Sequence, residues 1–93
     1  MDLPRNAFKA ALARGELQIG LWSSLCSPIV AEIIGYSGFD WILVDTEHSP
    51  NEPPAVLAQL QALQAGTATP IVRPAWNDPV LLKRLLDIGA QAV

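Results

Sequence analysis

The 93 residues carry nine Asp and Glu against six Lys and Arg, a formal charge of −3 without any basic cluster, so a nucleic-acid partner is excluded. Hydrophobic residues reach 51% and charged ones only 16%, more apolar surface than so short a chain normally hides, which reads as part of a larger domain. The single cysteine, Cys26, excludes an internal disulfide and a Cys-based zinc site, fits a reducing compartment, and reads as a small buried thiol.

The opening Met1-Asp2-Leu3-Pro4 lacks the basic and then apolar run of a signal peptide. The apolar stretch from Leu17 to Tyr36 is interrupted by Ser23, Ser24, Ser27, Pro28 and Glu32, so it is not a membrane span. A cytoplasmic protein with no membrane partner is expected. A leading helix is expected from Asn6 to Arg14, stopped by Gly15.

The same pattern then repeats three times: a short apolar run, a polar turn, a proline and an amphipathic helix closed by glycine. Leu17 to Trp22, Phe39 to Val44 and Pro70 to Arg73 are the expected strands, rich in β-branched or aromatic residues. In the first helix Ser27 is the expected cap and Pro28 the first helical residue, with Val30, Ile33 and Ile34 on one face and Gly38 beyond the end. The second has Asn51 as cap, Pro53 and Pro54 in the first turn, a stripe of Val56, Leu60 and Leu63, and Gly66 as terminator. The third runs from an Asn77 or Asp78 cap through Pro79, buries Leu81, Leu85 and Ile88, and stops at Gly89. A fourth strand is expected to begin at Gln91-Ala92-Val93.

Successive βα units of about 30 residues imply parallel strands joined by right-handed crossovers. The expected fold is α/β: the N-terminal part of a (β/α)8 barrel, with residues 1–93 forming one incomplete domain of three βα units, the start of a fourth strand and a helix covering the barrel bottom. The alternative is a complete small doubly wound domain.

On this frame Trp22 and Ser23 end the first strand, Asp45, Glu47 and His48 end the second, and Arg73 ends the third. All six fall on the carboxyl rim, where barrels assemble their sites. His48, the only histidine, is read as functional in this setting rather than as an ordinary satisfied residue. Arg73, in an otherwise apolar strand, must face an anion: a structural carboxylate, or a substrate carboxylate or enolate, which is preferred. Asp45 and Glu47 have three open roles: pairing with Arg73, capping the next helix, or holding a metal's water. Trp22 is a candidate for the pocket wall, whereas Trp76 is read as packing and Trp41 as core. Lys9 and Lys83 lie in helices rather than at strand ends, which disfavours a lysine Schiff base.

Gly20-Leu21-Trp22, the run from Gly38-Phe39-Asp40-Trp41 into Asp45-Thr46-Glu47-His48-Ser49-Pro50-Asn51, and Val72-Arg73-Pro74-Ala75-Trp76-Asn77-Asp78-Pro79 closely resemble the HpcH/HpaI aldolases over nearly the whole chain. The resemblance implies a lyase: a class II pyruvate aldolase on a (β/α)8 barrel, using a divalent Mg, Mn or Co ion. Its implied reaction splits a 4-hydroxy-2-oxo acid, such as 4-hydroxy-2-oxoheptanedioate from the catabolism of aromatic hydrocarbons, reversibly into pyruvate and an aldehyde. By the same resemblance His48 is the general base, Arg73 stabilises the enolate and contacts substrate with Trp22, and Asp87 raises the basicity of His48. Because third-helix direction carries Asp87 away from the rim, it is expected to reach His48 only across a subunit interface.

The family's metal-ligating Glu and Asp have no counterpart here, and Asp45 is at most a holder of metal-bound water. A homo-oligomer, trimer or hexamer, is also implied. Two other readings stand beside this one: a CoA-dependent acyl lyase of the citrate lyase β type, and a non-catalytic barrel piece that needs the rest of the chain.

Overall fold

The computed structural model describes residues 1–93. Helix α1 (Ala7–Ala13) is followed by three βα units: β1 (Gly20–Ser23) with α2 (Pro28–Gly35), β2 (Trp41–Asp45) with α3 (Pro53–Leu63), and β3 (Thr69–Arg73) with α4 (Pro79–Asp87). The strands form one parallel sheet in the order β1-β2-β3. This is the expected order of elements, and no helix is long and apolar enough to cross a membrane.

Local chemistry explains most helix ends. The side chains of Asn6, Ser27 and Asp78 accept the amides of Lys9, Val30 and Leu81, and α2, α3 and α4 all begin with proline, whose missing N–H has no intrahelical partner to lose. Gly15 (φ +71°) and Gly89 (φ +108°) take the left-handed conformation just past α1 and α4. Helix α3 departs from expectation: its cap position is Glu52, which makes no side-chain cap bond, because the Asn51 amide is engaged at the end of β2 instead. Gly66 is also not a left-handed stop. A Cβ there would lie 2.3 Å from the Gly35 carbonyl oxygen, so its role is to let two backbones approach.

The core lies between the sheet and its helices: Ile42, Val44 and Val72 meet Ala31 of α2, Val56, Leu60 and Leu63 of α3, and Leu85 of α4. Leu81 and Ile88 are only half-buried. In α2 it is Ala31 and Gly35 that are buried, while Ile33 is 61% exposed, so the expected apolar face is rotated by part of a turn. Cys26 is likewise half-exposed rather than buried, with positive φ (55°) in the loop before α2.

Register and pleat divide the sheet into two faces. Since partners across parallel strands share a face and alternate along each strand, Gly20, Trp41 and Thr69 lie with Trp22, Leu43 and Ile71 and with Asp45 and Arg73, opposite the helix-covered face of Ile42, Val44 and Val72. At the amino end of that first face the Trp41 ring occupies the space a Gly20 side chain would need. Phe8 of α1 meets the same ring edge-on at 6.1 Å, so α1 covers the bottom of the sheet as expected.

The first strand starts at Gly20 rather than Leu17. The backbone before it is instead tied to Asp40, whose carboxylate accepts from Ile19 N–H (2.9 Å) and whose N–H donates to Ile19 O (2.7 Å). The expected fourth strand is reduced to one backbone bond, Val72 N–H to Ala92 O (3.0 Å), too little to make a ladder.

Candidate active site

Asp45 and Arg73 are register partners and the last residues of β2 and β3, so strand pairing alone sets a carboxylate beside a guanidinium at the carboxyl rim. Thr46 locks the junction: its N–H and its hydroxyl both donate to Arg73 O, at 3.0 and 2.6 Å. Trp22, on the same face one strand away, donates its indole N–H to Asp45 Oδ2 (3.1 Å). The Arg73 guanidinium carbon stands 5.9 Å from the Trp22 ring centroid, a cation–π arrangement.

Asp45 organises the turn that follows. Its Oδ1 accepts the backbone N–H groups of Glu47 (2.8 Å) and His48 (3.2 Å), an Asx turn that projects both side chains from the strand end. Burial pushes its pKa upward, but those two amides, the Trp22 indole and the Arg73 charge together hold the carboxyl below its usual range. An ionised group that accepts three N–H bonds at 3% exposure is a structural anchor.

Glu47 stands between Arg73 and His48 on the rim. One oxygen lies 2.5 Å from Arg73 Nη2 and the other 3.3 Å from His48 Nε2, so a single carboxylate spans guanidinium and imidazole. The anion expected opposite Arg73 is therefore supplied within the chain by Glu47. The His48 side chain is 68% exposed and open to a reactant.

Glu47, Arg73, Pro74, Ala75, Trp76, Asn77 and Leu82 line an open cavity of about 440 Å³ beside this cluster. Trp76, read from sequence as packing, is 75% exposed on its wall. Asp87 is exposed at the far end of α4 and pairs with no group of the chain, so the fold does not bring it to His48.

No three His, Cys, Asp or Glu side chains converge to hold a metal ion. Asp45 is committed to N–H donors and Glu47 to Arg73, so these residues do not fit a divalent-metal site by themselves.

Two residues at the site were not read from sequence. Asn51, expected as a helix cap, is buried and donates to Asp45 O (2.7 Å) and Ser49 Oγ (3.1 Å), and Ser49 Oγ also donates to Asp45 O. Gln59, fully buried in α3, donates to Asn51 Oδ1 (2.7 Å). Its signal was present in the chain: a glutamine at helical spacing inside the apolar stripe Val56, Leu60, Leu63.

The model of the HpcH/HpaI aldolase/citrate lyase family matches residues 18–93. The chain is 57% identical over 88 residues to a 4-hydroxy-2-oxo-heptane-1,7-dioate aldolase of Klebsiella pneumoniae, covering 95% of this chain and 33% of that protein. It is 55% identical over 93 residues to a hydroxypyruvate/pyruvate aldolase of Sagittula stellata, covering 100% of this chain and 37% of that one. Among solved structures, an HpcH/HpaI aldolase/citrate lyase family protein from Burkholderia cenocepacia superposes with a TM-score of 0.89 at 40% identity, over 94% of this chain and 35% of that one. The chain thus spans about a third of the length of the relatives it matches. With a family match over most of its residues and a sheet that follows theirs, this chain belongs to the HpcH/HpaI aldolase/citrate lyase family, as the N-terminal part of its (β/α)8 barrel.

Proposed function

We propose that these residues furnish part of the active site of a pyruvate aldolase, which cleaves a 4-hydroxy-2-oxo acid into pyruvate and an aldehyde. The observation that carries this reading is the Glu47 carboxylate linking Arg73 and His48 on one rim, beside an open cavity. Retro-aldol cleavage needs a base at the C4 hydroxyl and a positive charge where the C2 carbonyl oxygen becomes an enolate. His48, exposed and with its imidazole 3.3 Å from the Glu47 carboxylate, takes the hydroxyl proton. The C3–C4 electron pair then moves toward C2, the aldehyde departs, and Arg73 stabilises the enolate oxygen. Protonation at C3 completes pyruvate. Trp22 lends an aromatic face beneath the guanidinium and limits where it can swing.

The assignment carries with it dependence on a divalent ion, Mg, Mn or Co, whose ligands lie outside these residues, and a cytoplasmic homo-oligomer. The second reading, a CoA-dependent acyl lyase, is favoured by the citrate lyase half of the family's description, and a CoA requirement separates the two.

In the protein carrying this chain, Arg73→Ala is expected to lose about 3 kcal/mol of transition-state stabilisation in both aldol cleavage and pyruvate proton exchange, the scale of a lost oxyanion donor. His48→Ala is expected to impair cleavage more than exchange. Near-normal turnover by Arg73→Ala, or an equal loss of both reactions in His48→Ala, counts against the assigned roles.

A further inference from the structure

We propose that the buried amide pair Asn51–Gln59 is a positioning device for catalysis, a clamp from helix α3 onto the end of β2 that fixes where the Glu47–His48 segment stands. The inference rests on the reading of His48 and Arg73 given above.

The hydrogen-bond chain is continuous. Gln59 Nε2 donates to Ala55 O one turn back (2.9 Å) and to Asn51 Oδ1 (2.7 Å). Asn51 Nδ2 donates to Asp45 O (2.7 Å) and Ser49 Oγ (3.1 Å). Residues 46–50 thus form a loop whose two ends, Asp45 and Asn51, are pinned together, with Glu47 and His48 at its crest and their amides held by the Asp45 carboxylate. The four N–H bonds also fix both amide orientations: a flipped Asn51 would set its Oδ1 against Asp45 O, and a flipped Gln59 would set oxygen against oxygen twice.

Gln59 is an expensive residue for this position. It is fully buried, and its Oε1 is the one buried side-chain polar atom without a hydrogen-bond partner. An apolar side chain of similar shape would fill the same space beside the stripe of Val56, Leu60 and Leu63 and bring no unpartnered carbonyl of its own, but it would leave Asn51 Oδ1 without its one donor. What the glutamine alone provides is the donor that holds Asn51 Oδ1. It therefore acts through Asn51 and the loop on the placement of His48 and Glu47, and touches no reactant itself.

The two possible roles predict opposite rankings for two variants. Gln59→Met keeps the shape and removes both the donor and the unpartnered carbonyl. Gln59→Glu keeps the shape, and its carboxyl, held protonated by burial, retains one O–H for Asn51 Oδ1. In the protein carrying this chain, a positioning role gives Gln59→Met a stability close to the parent's, because one unpartnered buried oxygen, Gln59 Oε1, is exchanged for another, Asn51 Oδ1. It also gives a kcat lowered on the order of ten- to a hundredfold with KM little changed, as for a misplaced reacting group. Gln59→Glu is then the less stable variant but the more active one. Hydrogen exchange read on the Asp45–Asn51 segment supplies a signal independent of turnover, and is expected to accelerate in Gln59→Met while β3 stays protected.

A Gln59→Met protein as active as the parent, a Gln59→Glu protein less active than Gln59→Met, or unchanged exchange in the 45–51 segment would overturn the clamp. If the parent itself neither cleaves a 4-hydroxy-2-oxo acid nor exchanges pyruvate protons, the functional reading fails instead. The exchange measurement and the stability ranking still test the clamp in that case.

Discussion

Asp45 belongs both to the sheet and to the site, which makes its ionisation a stability question. Its carboxyl is held below the usual range in the folded chain, so it binds a proton less readily there than when unfolded. Its contribution is fully present above the unfolded carboxylate's pKa of about 3.9 and is lost as pH falls through the lower folded value. Asp45→Asn is expected to destabilise by about 1–3 kcal/mol at neutral pH, because an amide N–H₂ must face either the Trp22 indole donor or the Glu47 and His48 amides. It should also flatten the acid side of a plot of midpoint temperature against pH, and a variant with the parent's acid slope would remove the claim. His48, Arg73 and Trp22 were legible from sequence because strand ends have only one rim to occupy. Asn51 and Gln59 were not, because the two amides meet eight residues apart in sequence and nothing local shows that an Asn two residues before a proline turns inward instead of capping.

Between elements, the tightest constraint is the approach of the loop after α3 to the end of α2. Gly66 lies against Gly35, whose carbonyl also accepts Thr67 N–H at 3.3 Å. In Gly66→Ala the added methyl meets backbone rather than a movable side chain, so the helix pair must separate. A loss of about 1–3 kcal/mol is expected in chemical denaturation, and an unchanged midpoint would show that the pair is loosely seated. Caps and prolines made α2 and α4 legible at this scale, since Ser27 and Asp78 carry their own instructions. The rotation of α2, which leaves Ile33 outward, follows from which face the Gly35–Gly66 approach allows inward, a tertiary fact that periodicity alone does not contain.

Over the whole molecule, the parallel order of three strands and the covering α1 were both readable, because repeated βα units leave little topological choice. Helix direction sets Asp87 apart from the rim residues: it ends α4, away from the carboxyl rim. If a second copy delivers Asp87 to His48, mixing Asp87→Asn with His48→Ala subunits should restore part of the activity that each lacks alone. Mixtures as inactive as their components would place Asp87 outside the reaction. At the other flank, β1 pairs only with β2, and Leu17, Ile19, Leu21, Ile29 and Ile33 are exposed close to that edge in sequence. The outward-turned backbone donors and acceptors of this four-residue strand, beside greasy side chains, make an adhesive seam. Static light scattering of these 93 residues alone should therefore give a negative second virial coefficient at moderate salt, and lysine at Leu21 should turn the net attraction between particles into repulsion.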